Sequence, residues 1–316
     1  MSGKIAIGID IGGTNIKAGA VNDKGEVVVR ATLPTEAQRG GEALLARIVA
    51  ISNELISSTE AKGFKCIGVG IGSAGQIDVK NGAVAGATSN LPGWAGIQVV
   101  SRLQEQINLP VVLDNDANAL AYGEAWVGAG KGWRDFVCIT LGTGIGGCFI
   151  HEGQPYHGHS GFAGEFGHHV IKYGGRSCNC GRSGCWEQYA SVTALMKMVN
   201  EQAGDRLEEF PSAEVVFAKA RNGDEFALRM VENYAEYIAA GLSNFIHIFN
   251  PNGIVIGGAV TAQGDFLFDR ILHFVERSVM RVYNDEKNPI QILPALLGED
   301  AGIVGSAAPL YSSVIR

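Results

Sequence analysis

Between Gly161 and Glu187 the chain reads GFAGEFGHHVIKYGGRSCNCGRSGCWE, its densest run of reactive side chains. Cys178, Cys180 and Cys185 fall within eight residues, and His168 lies ten residues before the first of them. Three thiolates and one imidazole form the donor set of a tetrahedral Cys3His zinc site. The thiols must lose their protons to bind, and the metal favours that form. Gly174, Gly175, Gly181 and Gly184 permit the tight turns with which so short a segment wraps one ion. No fifth donor is evident, and a closed coordination sphere marks a structural ion rather than a catalytic one. Such an ion would pin the loop and aim Glu165, His168 and Glu187 at something else.

Two further stretches suit an anion. Asp10-Ile11-Gly12-Gly13-Thr14 and Leu141-Gly142-Thr143-Gly144-Ile145-Gly146-Gly147 each interrupt hydrophobic strand patterns with glycines and a threonine. Both read as strand, turn, strand, and the pair looks like an internal duplication. Such turns offer a hydroxyl and unhindered backbone N–H groups to a phosphate. With Asp10 placed to face a magnesium ion through water, the pair points to a nucleoside triphosphate held by two related halves. Gly142 to Gly147 also spells G-x-G-x-x-G, but a dinucleotide site needs a helix to open at that turn. Here Cys148-Phe149-Ile150 reads as strand. Lys131 is not a phosphate-loop lysine, because no Ser or Thr follows it and the glycine spacing differs. The run VVLDND supplies two carboxylates, Asp114 and Asp116, either of which could take a proton from a hydroxyl. On an extended strand they point the same way, so alternation does not choose between them.

The elements that must position these residues alternate strand and helix. Three strands open the chain, the third over Glu26 to Leu33. Apolar spacing near 3.6 predicts helices over 42–59, 98–107, 118–127, 191–203, 212–221, 225–249 and 265–280. Strands are expected over 66–71, 110–116, 136–141, 148–150 and 252–255, and a closing helix over 301–315. A chain of 316 residues with 46% hydrophobic and 18% charged side chains can bury two cores. The expected division is 1–117 plus 301–316 against 118–300. Net charge is −7 with no basic run, which disfavours nucleic acid as a partner. There are 44 glycines, about twice the usual ~7% share, clustered after hydrophobic runs as phosphate-holding turns are. MSGKIAIGIDIGG lacks the features of a signal peptide, and no apolar run approaches the ~18 residues of a membrane span. Cys66, Cys138 and Cys148 sit in strand-like runs and read as buried free thiols of a reducing, cytoplasmic compartment.

Together DIGGTNIKAG, LDNDANALAYGE, TLGTGIGG, GEFGHH and CNCGRSGCWEQYAS resemble the ROK family of sugar kinases and repressors, over nearly the whole chain. The resemblance implies an α/β, two-lobed, actin/hexokinase-like (ribonuclease H-like) ATPase fold with a cleft between lobes that closes on sugar. It implies Asp116 as general base toward a sugar 6-hydroxyl and Asn115 on a ring hydroxyl. Glu165, His168 and Glu187 would hold hydroxyls near carbons 1 to 3, with His168 also a zinc ligand, and Gly75 and Asn90 would line the same pocket. Asp114 takes a capping or turn-bonding role. Asp10, Gly12, Gly13 and Thr14 would form the first ATP phosphate loop, Thr143 and Gly144 the second, and Gly257 and Gly258 would lie near the adenosine. Ala74 stands where many members carry proline. ROK repressors carry a DNA-binding module ahead of the first motif, which here begins within ten residues of Met1, so a kinase is expected.

The implied activity is ATP-dependent phosphorylation of a hexose at its 6-hydroxyl, with Mg2+ accompanying ATP and one structural Zn2+. Carboxylates and amides suit a neutral polyol and repel a sugar already phosphorylated. GCWEQYAS is similar to the bacterial glucokinase branch, so glucose is expected first and N-acetylmannosamine or N-acetylglucosamine second. A non-catalytic sugar-binding sensor is the contrasting class; it would bind sugar and release no ADP. A homodimer or homotetramer is implied, with no membrane partner.

Overall fold

The computed structural model describes residues 3–87, 90–284 and 289–311. It divides into two units, the first comprising Met1–Gly132, Cys148–Gly164 and Leu296–Arg316, the second Trp133–Gly147 and Glu165–Ala295.

The first unit opens with β1 (Lys4–Ile11), β2 (Asn15–Asn22) and β3 (Val27–Pro34). Helix α1 (Gly41–Ala61) leads to β4 (Lys65–Ser73), then to the small hairpin of β5 (Gln76–Asp78) and β6 (Ala83–Gly86). Helix α2 (Val99–Ile107) precedes β7 (Val111–Asn115), which runs directly into α3 (Asp116–Val127). The sheet order is β3-β2-β1-β4-β7. Strand β1 is antiparallel to β2 and parallel to β4, which is parallel to β7. Ile5, Ile7, Ile9 and Ile11 of β1 are wholly buried in one cluster with Leu45 and Ile48 of α1 and Leu103 of α2. The alternate position Ala6 faces the other way, where it packs with Tyr122, Trp126, Ile303 and Val304. On that face a methyl group at Gly8 or Gly70 would overlap the backbone of Ile303 or Ser306. Part of the glycine excess therefore serves close helix-on-sheet packing rather than phosphate turns. Covered on both faces, β4 is almost continuously buried, whereas edge strand β3 alternates half-buried with exposed.

The second unit holds β8 (Phe136–Leu141) and the start of β9 (Ile145–His151), which passes into the first unit at Cys148 and is followed there by β10 (Gln154–Pro155). Its helices are α4 (Glu187–Ala190), α5 (Val192–Gln202), α6 (Ala213–Arg221), α7 (Glu225–Phe249) and α8 (Asp265–Ser278), with β11 (Ile254–Gly257) and β12 (Ile292–Pro294) among them. The sheet order, β10-β9-β8-β11-β12, repeats that of the first sheet, and β8, β11 and β12 are again parallel. The duplication seen in the two glycine turns is thus a duplication of topology. Ser212 and Asp224 cap α6 and α7 by accepting from Val215 N and Ala227 N.

The chain closes with α9 (Ala301–Ala307), back in the first unit. The helix expected through 315 gives way at Ala308 to a 3-10 turn, where Pro309 has no N–H to donate and so interrupts the α-helical ladder; residues 312–316 lie outside the described ones. The first unit runs on to Gly132 rather than ending at 117, because α3 buries Tyr122 and Trp126 against α9. Among the described residues no helix is long and apolar enough to cross a membrane.

Candidate active site

Strand β7 ends at Asn115, and Asp116 is already the first residue of α3. Strand alternation therefore does not govern Asp116. The Asn115 side-chain oxygen accepts from Ala117 N at 2.9 Å and Asn118 N at 3.4 Å, an N-cap that bends the chain. Its amide nitrogen donates to the Gly75 carbonyl at 3.0 Å. Gly75 has φ +110°, a conformation open to glycine, and Ala74 packs against the core beside it. Asn115 and Gly75 thus buttress each other behind Asp116. The Asp116 carboxylate stands at a helix N-terminus, where the backbone dipole favours negative charge.

Asp10, next to last in β1, feels that charge. Burial first, and then Asp116, push its carboxyl up to about 6, while Lys17 pulls it down. A half-buried carboxyl pushed toward neutrality suits a cation, whose charge would restore its ionised form. The turn that follows is exposed at Gly13 and Thr14. Thr35 occupies two of its carbonyls, with Oγ1 donating to Gly12 O at 2.6 Å and its N–H to Thr14 O at 2.8 Å. Two acceptors that would repel a phosphate are thereby taken up. Asn90 lies beside this turn, its Cβ 3.3 Å from where a Gly13 side chain would begin.

In the second unit the turn Gly142-Thr143-Gly144 is built the same way. Val192 N donates to Gly142 O at 2.8 Å and Thr193 Oγ1 to Thr143 O at 2.8 Å. Strand β9 follows the G-x-G-x-x-G run, so the dinucleotide reading fails on structure as on sequence. Glu187, first residue of α4, reaches this turn, and its Oε2 accepts from Ile145 N at 2.9 Å. That contact, unforeseen from sequence, ties a sugar-ligand candidate to a phosphate-turn candidate. Trp186 sets Glu187 in place. Its wholly buried indole donates to Tyr237 O of α7 at 2.7 Å. Gly257 ends β11, and Gly258 follows it against Leu141, just before the same turn.

The four thiol and imidazole donors also come together. One ligand atom each from His168, Cys178, Cys180 and Cys185 lie within 4.8 Å of one another. Cys178 Sγ stands 3.6 Å from His168 Nδ1, and Cys180 Sγ 3.6 Å from Cys185 Sγ. A tetrahedron with sulfur about 2.3 Å from its centre has edges of about 3.8 Å, so the donor set fits zinc. Burial and the neighbouring thiols push Cys185 up to about 12, a preference that a divalent ion at the centre reverses. Protein bonds shape the loop as well, with Cys178 N donating to Arg182 O at 2.8 Å and Arg176 N to the Tyr189 hydroxyl at 2.7 Å. Glu165 is exposed and precedes the 3-10 turn Phe166–His168, where His168 N donates to Glu165 O at 3.0 Å.

The chain matches the model of the ROK family over residues 6–312. It belongs to the ROK family. Among the relatives of this ROK protein is a glucokinase from Halalkalibacterium halodurans, 37% identical over 96% of this chain and 94% of that protein. In structure it is similar to a ROK hexokinase from Thermus thermophilus, with TM-score 0.84, 30% identity and coverage of 98% and 99%. It is also similar to a ROK family glucokinase from Streptomyces griseus in complex with glucose and AMPPNP, with TM-score 0.77, 34% identity and coverage of 96% and 98%. The duplicated α/β architecture is the actin- and hexokinase-like kinase fold that the motifs imply.

Sequence reasoning missed several residues that organise the site. Trp94 donates its indole N–H to Ser73 Oγ at 2.9 Å, steadying the end of β4 just before Gly75. Glu124 is wholly buried, and its carboxylate accepts from Ala129 N at 2.7 Å and Leu297 N at 2.9 Å. The GE that closes LDNDANALAYGE was the only trace of it, because a lone glutamate on a helix ordinarily faces solvent.

Proposed function

We propose that this ROK kinase transfers the γ-phosphoryl group of ATP to the 6-hydroxyl of glucose, with Asp116 as general base. The observation that carries the reading is the placing of Asp116 on the first turn of α3, braced by Asn115 and Gly75 and coupled to Asp10. Asp116 takes the proton of the 6-hydroxyl as that oxygen bonds to the γ-phosphorus. The bond from that phosphorus to the bridging oxygen breaks, and ADP departs with the electron pair. Asp10 faces the Mg2+ that ATP brings. Gly12, Gly13, Thr14, Thr143 and Gly144 hold phosphates, and Gly257 and Gly258 lie toward the adenosine. Gly75, Asn90, Asn115, Glu165, His168 and Glu187 hold the sugar.

Zn2+ on His168, Cys178, Cys180 and Cys185 supplies order to the loop and no bond-making chemistry. The Cys-Trp-Glu continuity from Cys185 to Glu187 carries that order to a sugar ligand. The glucokinase of H. halodurans and the glucose-bound glucokinase of S. griseus support glucose as the substrate. None of the six cysteines is in a disulfide, which suits a reducing compartment.

The test is ADP release from Mg-ATP with glucose, mannose, fructose, allose, N-acetylglucosamine and N-acetylmannosamine. The reading predicts the highest kcat/KM for glucose. An acetylated sugar in first place would transfer the same chemistry to a different carbon-2 pocket. ADP release with none of them would remove the kinase reading.

A further inference from the structure

We infer that His157 is a positioning residue for phosphoryl transfer, holding through Asp114 both the strand end that presents Asp116 and the loop that runs on to Glu165. The inference rests on the reading of Asp116 as the base.

Asp114 is the penultimate residue of β7. Its Oδ1 accepts from Asn115 N at 2.7 Å and from Asn118 Nδ2 at 2.8 Å. Its Oδ2 pairs with His157 Nε2 at 2.7 Å. One carboxylate therefore grips the residue before Asp116 and the residue two after it, and so braces the bend from which Asp116 projects. Both of its oxygens are engaged in this brace.

His157 sits just beyond β10 in the first unit. The loop it starts is closed by Ala163 N donating to His157 O at 3.2 Å. It also abuts β5, where a side chain on Gly161 would begin 3.2 Å from Ile77 O. After Gly164 the next residue is Glu165, a sugar-ligand candidate. The His157–Asp114 pair thus anchors the segment leading to Glu165 onto the strand end leading to Asp116.

The pair is well shielded, with side chains 30% and 18% exposed. It borders a cavity of about 160 Å³ lined by Ile71, Leu113, Tyr122 and Pro155 among others. In such surroundings a hydrogen bond to a carboxylate is strong, and breaking it leaves a poorly solvated charge. The bond to Asp114 also raises the basicity of His157 above that of an ordinary imidazole, which favours the charge-assisted form.

The discriminating comparison is His157→Gln, whose side-chain amide can still donate to Asp114, against His157→Ala. Positioning predicts that the alanine variant loses about 10- to 100-fold in kcat for glucose, as befits a misplaced reacting group, with KM for ATP within about twofold. The glutamine variant should recover most of that loss. A role in packing alone predicts a glutamine variant no better than alanine. A second readout needs no turnover: amide hydrogen exchange at Asn115 and Ala117 should quicken in His157→Ala and return toward the parent rate in His157→Gln. If the parent protein phosphorylates no hexose, the kinase reading fails and exchange alone decides whether His157 braces the bend. Parent-like kcat in the alanine variant of an active enzyme, or parent-like exchange, would overturn the inference.

Discussion

Asp116 and Asp10 are carboxylates in contrasting settings. Asp116 stands at a helix N-terminus, where negative charge is welcome, and Asp10 is half-buried with Asp116 as its neighbour. An ionised base is what proton abstraction requires, so Asp116→Asn should lower kcat by about 10²-fold or more while sugar binding persists, a usual general-base contribution. Isothermal titration with glucose beside steady-state kinetics checks both halves, and near-parent turnover would remove Asp116 from the mechanism. Asp10 carries a pH dependence of definite sign. Its folded value, about 6, lies above the ordinary 3.8, so the fold prefers the neutral acid. The stabilising contribution is complete below 3.8 and is lost as pH rises through about 6. Metal-free Asp10→Asn protein should therefore gain stability on the parent across that window, as urea unfolding at successive pH values would show. Parallel curves would mean that Asp10 is not perturbed. The residue types of this site were legible in the sequence because glycine, threonine and carboxylate at strand ends carry chemical meaning on their own. The Asn115–Gly75 bond was not, because it joins residues 40 apart in the chain.

At the level of elements, the long helices α1 and α7 were legible from apolar spacing, and α7 occupies its expected 225–249 span. Strand β12 and the β5-β6 hairpin, of three or four residues each, are too short for alternation to register. The contact that positions Glu187 was hidden for a different reason. Trp186 bonds to the backbone of α7 51 residues away, and a methyl group on Gly241 would overlap its indole. Gly241→Ala should therefore displace Trp186 and Glu187, costing about 1–3 kcal/mol of stability and raising KM for glucose. Parent-like KM with intact folding would show that Glu187 does not depend on that packing. The zinc loop makes a matching prediction. Cys185→Ser should lose bound metal, measured by atomic emission, together with activity, because Glu187 follows Cys185 by two residues; full activity in a zinc-free preparation would contradict it.

For the molecule as a whole, duplication explains why so much was readable. The second sheet repeats the first, hairpin and then parallel strands, so the glycine turn after β1 reappears after β8. Glycine abundance misled in part, since Gly8 and Gly70 serve close packing under α9. The division of the chain was also not legible, because the attachment of α3 to α9 joins segments far apart in the sequence. Transfer of phosphate to the 6-hydroxyl is best tested by analysis of the product. Uniformly 13C-labelled glucose and Mg-ATP, incubated with the purified protein, should yield ADP and a phosphorylated sugar in one-to-one ratio, with phosphorus coupling at carbon 6 and its neighbour carbon 5 in the NMR spectrum. Coupling at carbon 1, or ADP formed with no phosphorylated sugar, would contradict the assignment of Asp116 to the 6-hydroxyl.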